Sequence, residues 1–191
     1  MNIKLCRYIL NTTGKALKTS TRPVIKFEKL NAMGAANPYT GEIILNKKLN
    51  FCILRHLFLK KYIRHELKHA EQFQIMARYF AGQEKNTEEG LRKFAQMLGK
   101  KIYNNPSIGV INAKYYTKVI KNDGIITKSN PLFAKAKEYV KAFNEYPDMS
   151  KVLENESSQS FFDYVGNLYK SIKAYRNNPL EKEAVSASKI R

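Results

Sequence analysis

A long segment without glycine or proline occupies the middle of this 191-residue chain. From Asn50 to Phe80 neither residue occurs, and the apolar side chains recur at helical spacing. Gly82 follows and is expected to end the helix. We therefore predict one long helix that runs through the middle of a single domain covering residues 1–191.

Shorter elements are predicted on both sides of the long helix. Alternating and β-branched residues indicate strands at 24–30 and 40–46, separated by a break at 31–39 that contains Gly34 and Pro38. Cap signals and periodicity predict further elements: helices at 1–18, 86–99, 130–143, 160–175 and from Asn178-Pro179 onward, short strands at 108–116 and 124–127, and a loop at 147–158. The expected fold class is α+β, mostly helical, with a small sheet next to the long helix.

The long helix carries the sequence His65-Glu66-Leu67-Lys68-His69. At about 100° per residue, His65 and His69 lie about 40° apart on one face, so both can bind one metal ion. In this motif two histidines bind zinc, and the glutamate takes a proton from the activated water. Glu66 lies between the ligand face and an apolar face, which fits the role of a general base better than that of a solvated residue.

A catalytic zinc requires a third protein ligand, and no histidine follows His69. Glu71 is expected on a solvated stripe of the helix, together with Lys60, Arg64 and Lys68. Better candidates are Glu181 and Glu183 in the segment 178–184, which begins a helix. They lie about 200° apart, so only one can face the metal. Glu181 also stands where a carboxylate can cap the helix that begins after Asn178.

The motif and the later segment together resemble small gluzincin-type metallopeptidases of bacteria and phages, which pair HExxH with a downstream NPxExEA helix. The matching residues are 65–69 and 178–184, with 40–46 as the edge strand beside the substrate cleft. The resemblance implies a zincin-like fold, Glu181 as the third zinc ligand and peptide-bond hydrolysis. It also implies an extended peptide or protein substrate added alongside residues 41–46.

Hydrolysis of a peptide bond further requires a donor that stabilises the oxyanion. Tyr175 and Arg176, just before the second motif, are the candidates. Tyr175 belongs to a helix with several other aromatic residues and is alternatively a core side chain.

The chain is strongly basic, with 34 Lys and Arg against 16 Asp and Glu and a formal net charge of +18. This charge favours encounter with polyanions, although no nucleic-acid-reading motif is found. Two other functions therefore stay open: a catalytically silent zincin-fold structural or cargo protein of a phage particle, and a module that contacts nucleic acid.

The sequence also indicates where the protein acts. No apolar run is long enough to cross a membrane, and Arg7 interrupts what would be the core of a signal peptide. Cys6 and Cys52 lack the paired spacing of thiolate metal sites, so each is expected as a thiol. We expect the cytoplasm or the interior of a virus particle, and no membrane partner.

Overall fold

The computed structural model describes residues 20–30, 32–50, 55–146 and 170–189. Three strands and five helices with defined bounds lie within them: β1 (Val24–Glu28), β2 (Gly34–Asn37), β3 (Glu42–Asn46), α1 (Arg55–Gln83), α2 (Thr87–Tyr103), α3 (Ala113–Asp123), α4 (Phe133–Asn144) and α5 (Pro179–Lys189). Residues 170–177 are also helical, and short 3-10 helices occur at Lys47–Asn50 and Pro106–Ile108. The prediction of a mostly helical α+β chain with a small sheet is confirmed.

Some expectations fall on parts of the chain that are not described. The predicted helix at 1–18, the loop at 147–158 and both cysteines, Cys6 and Cys52, lie outside the described residues.

The three strands form one sheet in the order β1-β3-β2. Strand β1 runs parallel to β3, whereas β2 runs antiparallel to it. The expectation that residues 40–46 form the edge strand is wrong, because β3 is hydrogen-bonded on both sides. Within the described sheet the edge strands are β1 and β2, and β2 lies inside the predicted break at 31–39. Ile43 and Leu45 are fully buried on alternate positions of β3, as a central strand covered on one face requires.

Helix α1 is the central element and separates two apolar clusters. Its first half packs Ile63 and Leu67 against the sheet. Its second half packs against α2, α4 and α5 in a larger cluster that includes Met76 and Phe94. Within the described residues, no helix has the length and apolar character needed to cross a membrane.

Glycines within the helices mark close contacts between elements. A Cβ at Gly82 would lie 2.3 Å from the carbonyl oxygen of Ile126, and one at Gly99 would lie 2.7 Å from that of Asn105. Gly82 and Gly99 therefore allow neighbouring backbone to approach. Gly99 allows a close contact and does not end the helix, so α2 continues past the predicted end at Gly99 to Tyr103. Its predicted start is confirmed, since the Asn86 side chain accepts a hydrogen bond from the backbone N–H of Glu89.

The short strands predicted at 108–116 and 124–127 are absent from these described ranges. Helix α3 begins at Ala113 instead, because the Asn112 side chain accepts from the backbone N–H of Tyr115 and so caps a helix. Tyr116 and Val119, one turn apart, are fully buried, which is the spacing of a helix and not of a strand.

Helix α5 begins at Pro179, as the Asn-Pro signal predicts. The buried side chain of Asn178 accepts from the backbone N–H of Leu180 at 2.9 Å and donates to the carbonyl oxygen of Ala142 at 2.8 Å. One amide group therefore caps α5 and joins it to α4. Helix α4 begins at Phe133, three residues after Asn130, whose side chain holds the preceding turn.

We expect Asn178→Ala to lower the free energy of unfolding by about 1–3 kcal/mol, because it removes a helix cap and leaves buried backbone groups without partners. Urea unfolding followed by circular dichroism measures this change. The exposed neighbour Asn177 provides the matched control, and Asn177→Ala should change the free energy by less than about 0.5 kcal/mol. Equal effects of the two substitutions would contradict this account of α5.

Candidate metal centre

The packing of α5 against α1 brings the two sequence motifs together. His65 and His69 lie one turn apart on α1, and Glu181 lies in the first turn of α5. Their nitrogen and oxygen ligand atoms all lie within 4.8 Å of one another. We call these three residues the His–His–Glu cluster, and its side chains can hold a metal ion.

The distances within the cluster fit the geometry of a small metal ion. The two Nε2 atoms of His65 and His69 are 3.2 Å apart. Glu181 Oε1 lies 3.2 Å from His69 Nε2, and Glu181 Oε2 lies 3.5 Å from His65 Nε2. Ligands about 2.0–2.1 Å from a tetrahedral zinc are separated by about 3.3–3.4 Å. The observed spacing therefore needs little adjustment to surround such an ion.

A buried glutamine orients one of the histidines. Nδ1 of His69 lies 2.9 Å from Gln72 Oε1, and Gln72 Nε2 donates to the carbonyl oxygen of Leu180 at 3.1 Å. Because the amide oxygen accepts, His69 donates from Nδ1 and leaves the lone pair of Nε2 for a ligand. The same glutamine attaches α1 to the first turn of α5, next to Glu181.

The charges in the cluster are strongly coupled. Burial alone would raise the pKa of Glu181, but hydrogen bonding and charge from His69, with hydrogen bonds from two tyrosines, hold it at about 2. Burial would lower the pKa of His69, but Glu181 raises it overall. The pKa of His65 is lowered, first by burial and then by the charge of His69. An anionic carboxylate beside two imidazoles is a donor set suited to a divalent cation.

Glu66 lies next to the cluster and is only 6% exposed. Burial raises the pKa of its carboxyl group to about 7, with the charge of Glu181 acting in the same direction. His69 and a hydrogen bond to the backbone of Ala36 act in the opposite direction. Glu66 is therefore positioned between α1 and β2, near the cluster but outside it.

Strand β2 approaches Glu66 closely because it contains Gly34. A Cβ at Gly34 would lie 3.0 Å from both Cγ and Oε1 of Glu66 and 3.2 Å from Leu45. The backbone N–H of Asn46 bonds the carbonyl oxygen of Met33, so alternate residues of β2 face β3. The backbone groups of Gly34 and Ala36 consequently point away from β3, and the N–H of Ala36 bonds the Glu66 carboxylate.

Tyr146 is a site residue that no sequence motif predicted. Its hydroxyl group donates to Glu181 Oε1, and its ring packs edge-to-face on Tyr175 with centroids 5.3 Å apart. Tyr146 follows the end of α4, in a segment without a recognisable motif. Only the packing of α4 beside α5 brings it to the cluster.

The structure also locates the two predicted oxyanion donors. Tyr175 lines the same cavity as the cluster, and burial raises its pKa to about 12, with the charge of Glu181 acting in the same direction. Arg176 is exposed and lines an adjoining depression with His65 and Glu181.

Glu183, the alternative third ligand, faces away from the histidines. It accepts from the Tyr139 hydroxyl group at 2.6 Å and forms ion pairs with Lys68 and Lys135. Glu71 also pairs with Lys68, at 2.6 Å, and is only 2% exposed. The predicted solvated stripe is therefore wrong at Glu71, because α5 covers that face of α1. Glu181 does not cap α5. The cap is Asn178 Oδ1, and the carboxylate of Glu181 faces His69.

A cavity of about 520 Å³ opens beside the cluster. Its walls include β2 on one side and the ends of α2 and α4 on the other. A volume of this size is typical of a site for a small ligand or a few amino-acid residues.

Comparison with models of protein families, with curated proteins and with solved structures finds no match for this chain.

We expect Gly34→Val to displace Glu66 and to lower the free energy of unfolding by about 1–3 kcal/mol, because the added atoms overlap Glu66 and Leu45. Thermal or urea unfolding measures the loss. Ala35 is the exposed neighbour in the same strand, and Ala35→Val serves as the control because valine favours strands. If Gly34→Val were as stable as Ala35→Val, the close packing of Gly34 on Glu66 would be refuted.

Proposed function

We propose that this chain is a zinc metallopeptidase with a zincin-like arrangement, in which His65, His69 and Glu181 hold the metal and Glu66 is the general base. The observation that carries the proposal is the close approach of three ligand groups beside a buried carboxylate that is not one of them. The two histidine Nε2 atoms are 3.2 Å apart, Glu181 Oε1 lies 3.2 Å from His69 Nε2, and Glu181 Oε2 lies 3.5 Å from His65 Nε2. This combination of three ligands with a separate acid–base group is the arrangement of catalytic zinc sites.

Zinc, when bound, supplies a Lewis acid that polarises the peptide carbonyl group and makes water more acidic. In the proposed reaction Glu66 takes a proton from the attacking water at a carboxylate oxygen. The water oxygen bonds the carbonyl carbon, and the carbon–nitrogen bond then breaks. Glu66 returns the proton to the departing amine nitrogen, so the carboxylate is regenerated.

The open edge of the sheet supports a peptide as the substrate. Strand β2 borders the cavity and, within the described residues, pairs with β3 alone. The N–H and C=O groups of Gly34 and the C=O group of Ala36 face away from β3, whereas the N–H of Ala36 bonds Glu66. An extended chain can pair with such an edge through main-chain hydrogen bonds. Substrate pairing is thus proposed for β2 and not for residues 41–46, whose backbone already bonds β1 and β2.

The tyrosines extend the proposal to charge stabilisation. The Tyr175 hydroxyl group lines the cavity next to Glu66 and Glu181, where an oxyanion would form. Tyr146 donates to Glu181 and is assigned the role of holding that carboxylate in place.

Elemental analysis tests the metal site. The purified zinc-replete protein should contain about one equivalent of zinc, and His65→Ala or Glu181→Gln should weaken zinc binding by more than about 100-fold, since even loss of an outer-shell partner costs about 10–100-fold. Glu183→Gln is the matched control on the same helix and should retain zinc. Zinc-free wild-type protein, or equal zinc loss in the Glu181 and Glu183 variants, would contradict the assignment.

Peptide cleavage tests the chemistry. Glu66→Gln should retain zinc but cleave a peptide library about 10²–10⁴-fold more slowly, because it removes the group that accepts the proton. Exposed Glu88, on α2, provides a control of equal charge change, and Glu88→Gln should cleave at the wild-type rate. If wild type and Glu66→Gln bind zinc yet cleave equally poorly, a structural or cargo role of the basic protein replaces the peptidase.

A further inference from the structure

The cavity beside the His–His–Glu cluster has mainly apolar walls and one cation. Among the described residues that line it, the large apolar side chains are Phe73, Ile102, Phe143 and Leu180. Lys101, in the last turn of α2, is the single Lys or Arg in that lining. A side chain with an apolar stem and an anionic end would complement both features.

The ammonium group of Lys101 has more N–H donors than its one hydrogen bond uses. It donates one hydrogen bond, at 2.8 Å, to the carbonyl oxygen of Asn144. Since an ammonium group carries three N–H donors, two are left for other acceptors. The contact with Asn144 also fixes the direction of a side chain that would otherwise be flexible.

Lys101 differs from Lys68 and Lys135, two lysines on the helices beside it, in having no carboxylate partner among the described residues. Lys68 pairs with Glu71 and Glu183, and Lys135 also pairs with Glu183. For Lys101, no ion pair occurs within the described ranges 20–30, 32–50, 55–146 and 170–189. Its side chain is half-buried, so its apolar stem can pack against the cavity wall while the ammonium group meets a ligand.

The acidic residues of the cavity are committed to other partners. The described lining contains two, Glu66 and Glu181, which are the proposed base and the third ligand of the cluster. Among the described lining residues, no acidic side chain is therefore left to pair with Lys101. The net charge of +18 adds a long-range attraction for acidic molecules.

We infer that Lys101 is a specificity-determining residue and that the cavity selects peptides with a carboxylate beside the bond to be cleaved. The inference rests on the proposed function for the identity of the substrate as a peptide. The carboxylate has two sources, an acidic side chain and the free carboxyl terminus of a peptide. In either case the apolar part of the residue contacts the walls and the carboxylate accepts from Lys101 Nζ.

Peptide binding to the zinc-loaded Glu66→Gln protein tests the inference without turnover. Fluorescein-labelled tetrapeptides carry Glu or Gln at each position in turn, and each ends in a free acid or an amide. Fluorescence anisotropy measures Kd at low ionic strength. We expect one carboxylate position to bind about 10-fold more tightly than its neutral counterpart, equal to about 1.4 kcal/mol. Preference for Glu over Gln identifies a side chain, and preference for acid over amide identifies the terminus.

Two substitutions at Lys101 and one control substitution test whether the preference for a carboxylate depends on Lys101. Lys101→Met should abolish the preference, and Lys101→Glu should reverse it so that the neutral peptide binds more tightly. Lys100 is exposed and adjacent in sequence, so Lys100→Glu changes the net charge equally and should keep the preference. Circular dichroism and zinc content verify that all three variants are folded and loaded.

Three outcomes would overturn the inference. These are binding of no peptide, equal binding of charged and neutral peptides by the parent protein, and equal loss of preference in the Lys100→Glu and Lys101→Glu variants. Failure of the peptidase proposal is seen separately, as absence of zinc-dependent cleavage in wild-type protein whose binding preference is intact.

Discussion

The contact between Glu181 and the two histidines is the interaction on which the rest of the site depends. Glu181 is 3% exposed, and an ionised carboxylate at that depth is stable only with charged or hydrogen-bonding partners. His69 and Tyr146 supply them. Because His69 is on α1 and Tyr146 follows α4, satisfying one carboxylate requires three parts of the chain to meet.

Further hydrogen bonds and ion pairs around the cluster hold these three parts of the chain together. Gln72 joins His69 to the backbone of Leu180, while Asn178 joins the start of α5 to Ala142. On the opposite side of α5, Glu183 bonds side chains from α1 and α4. The helix that carries Glu181 is therefore held on both faces, which limits its rotation relative to the histidines. Such orientation by surrounding groups is what precise ligand geometry requires.

The sheet constrains the site in a different way, by limiting the space available to the side chain of Glu66. Glu66 can lie against β2 only because Gly34 has no side chain, and the approach leaves the carboxylate beside the cavity and largely out of water. Within the described residues β2 pairs with β3 alone, so the backbone groups of Gly34 face away from the sheet. One short strand therefore both positions Glu66 and borders the place where a substrate is proposed to bind.

The local sequence determined a large part of this arrangement. Helical periodicity placed His65 and His69 on one face of a long helix, and the Asn178-Pro179 signal located the start of α5. These features depend on residues within one or two turns of each other, so they can be read from neighbours in the sequence. The choice between Glu181 and Glu183 followed from a family resemblance and not from periodicity, since both occupy the same short helix.

Tertiary packing decided what depends on distant residues. The covering of α1 by α5 buried Glu71, which helical periodicity alone assigned to solvent, and turned Glu183 toward Lys68 and Lys135. Sheet order made β3 the central strand and β2 an edge strand, because pairing partners depend on the packing of the whole sheet and not on the strand's own residues. Tyr146 and Lys101 reach the cavity for the same reason, because each lies near the end of a helix whose position depends on the helices packed against it. The sequence by itself determined α1, α2, α4 and α5 and the first two candidate ligands, whereas tertiary structure decided which carboxylate joins them and which side chains surround them.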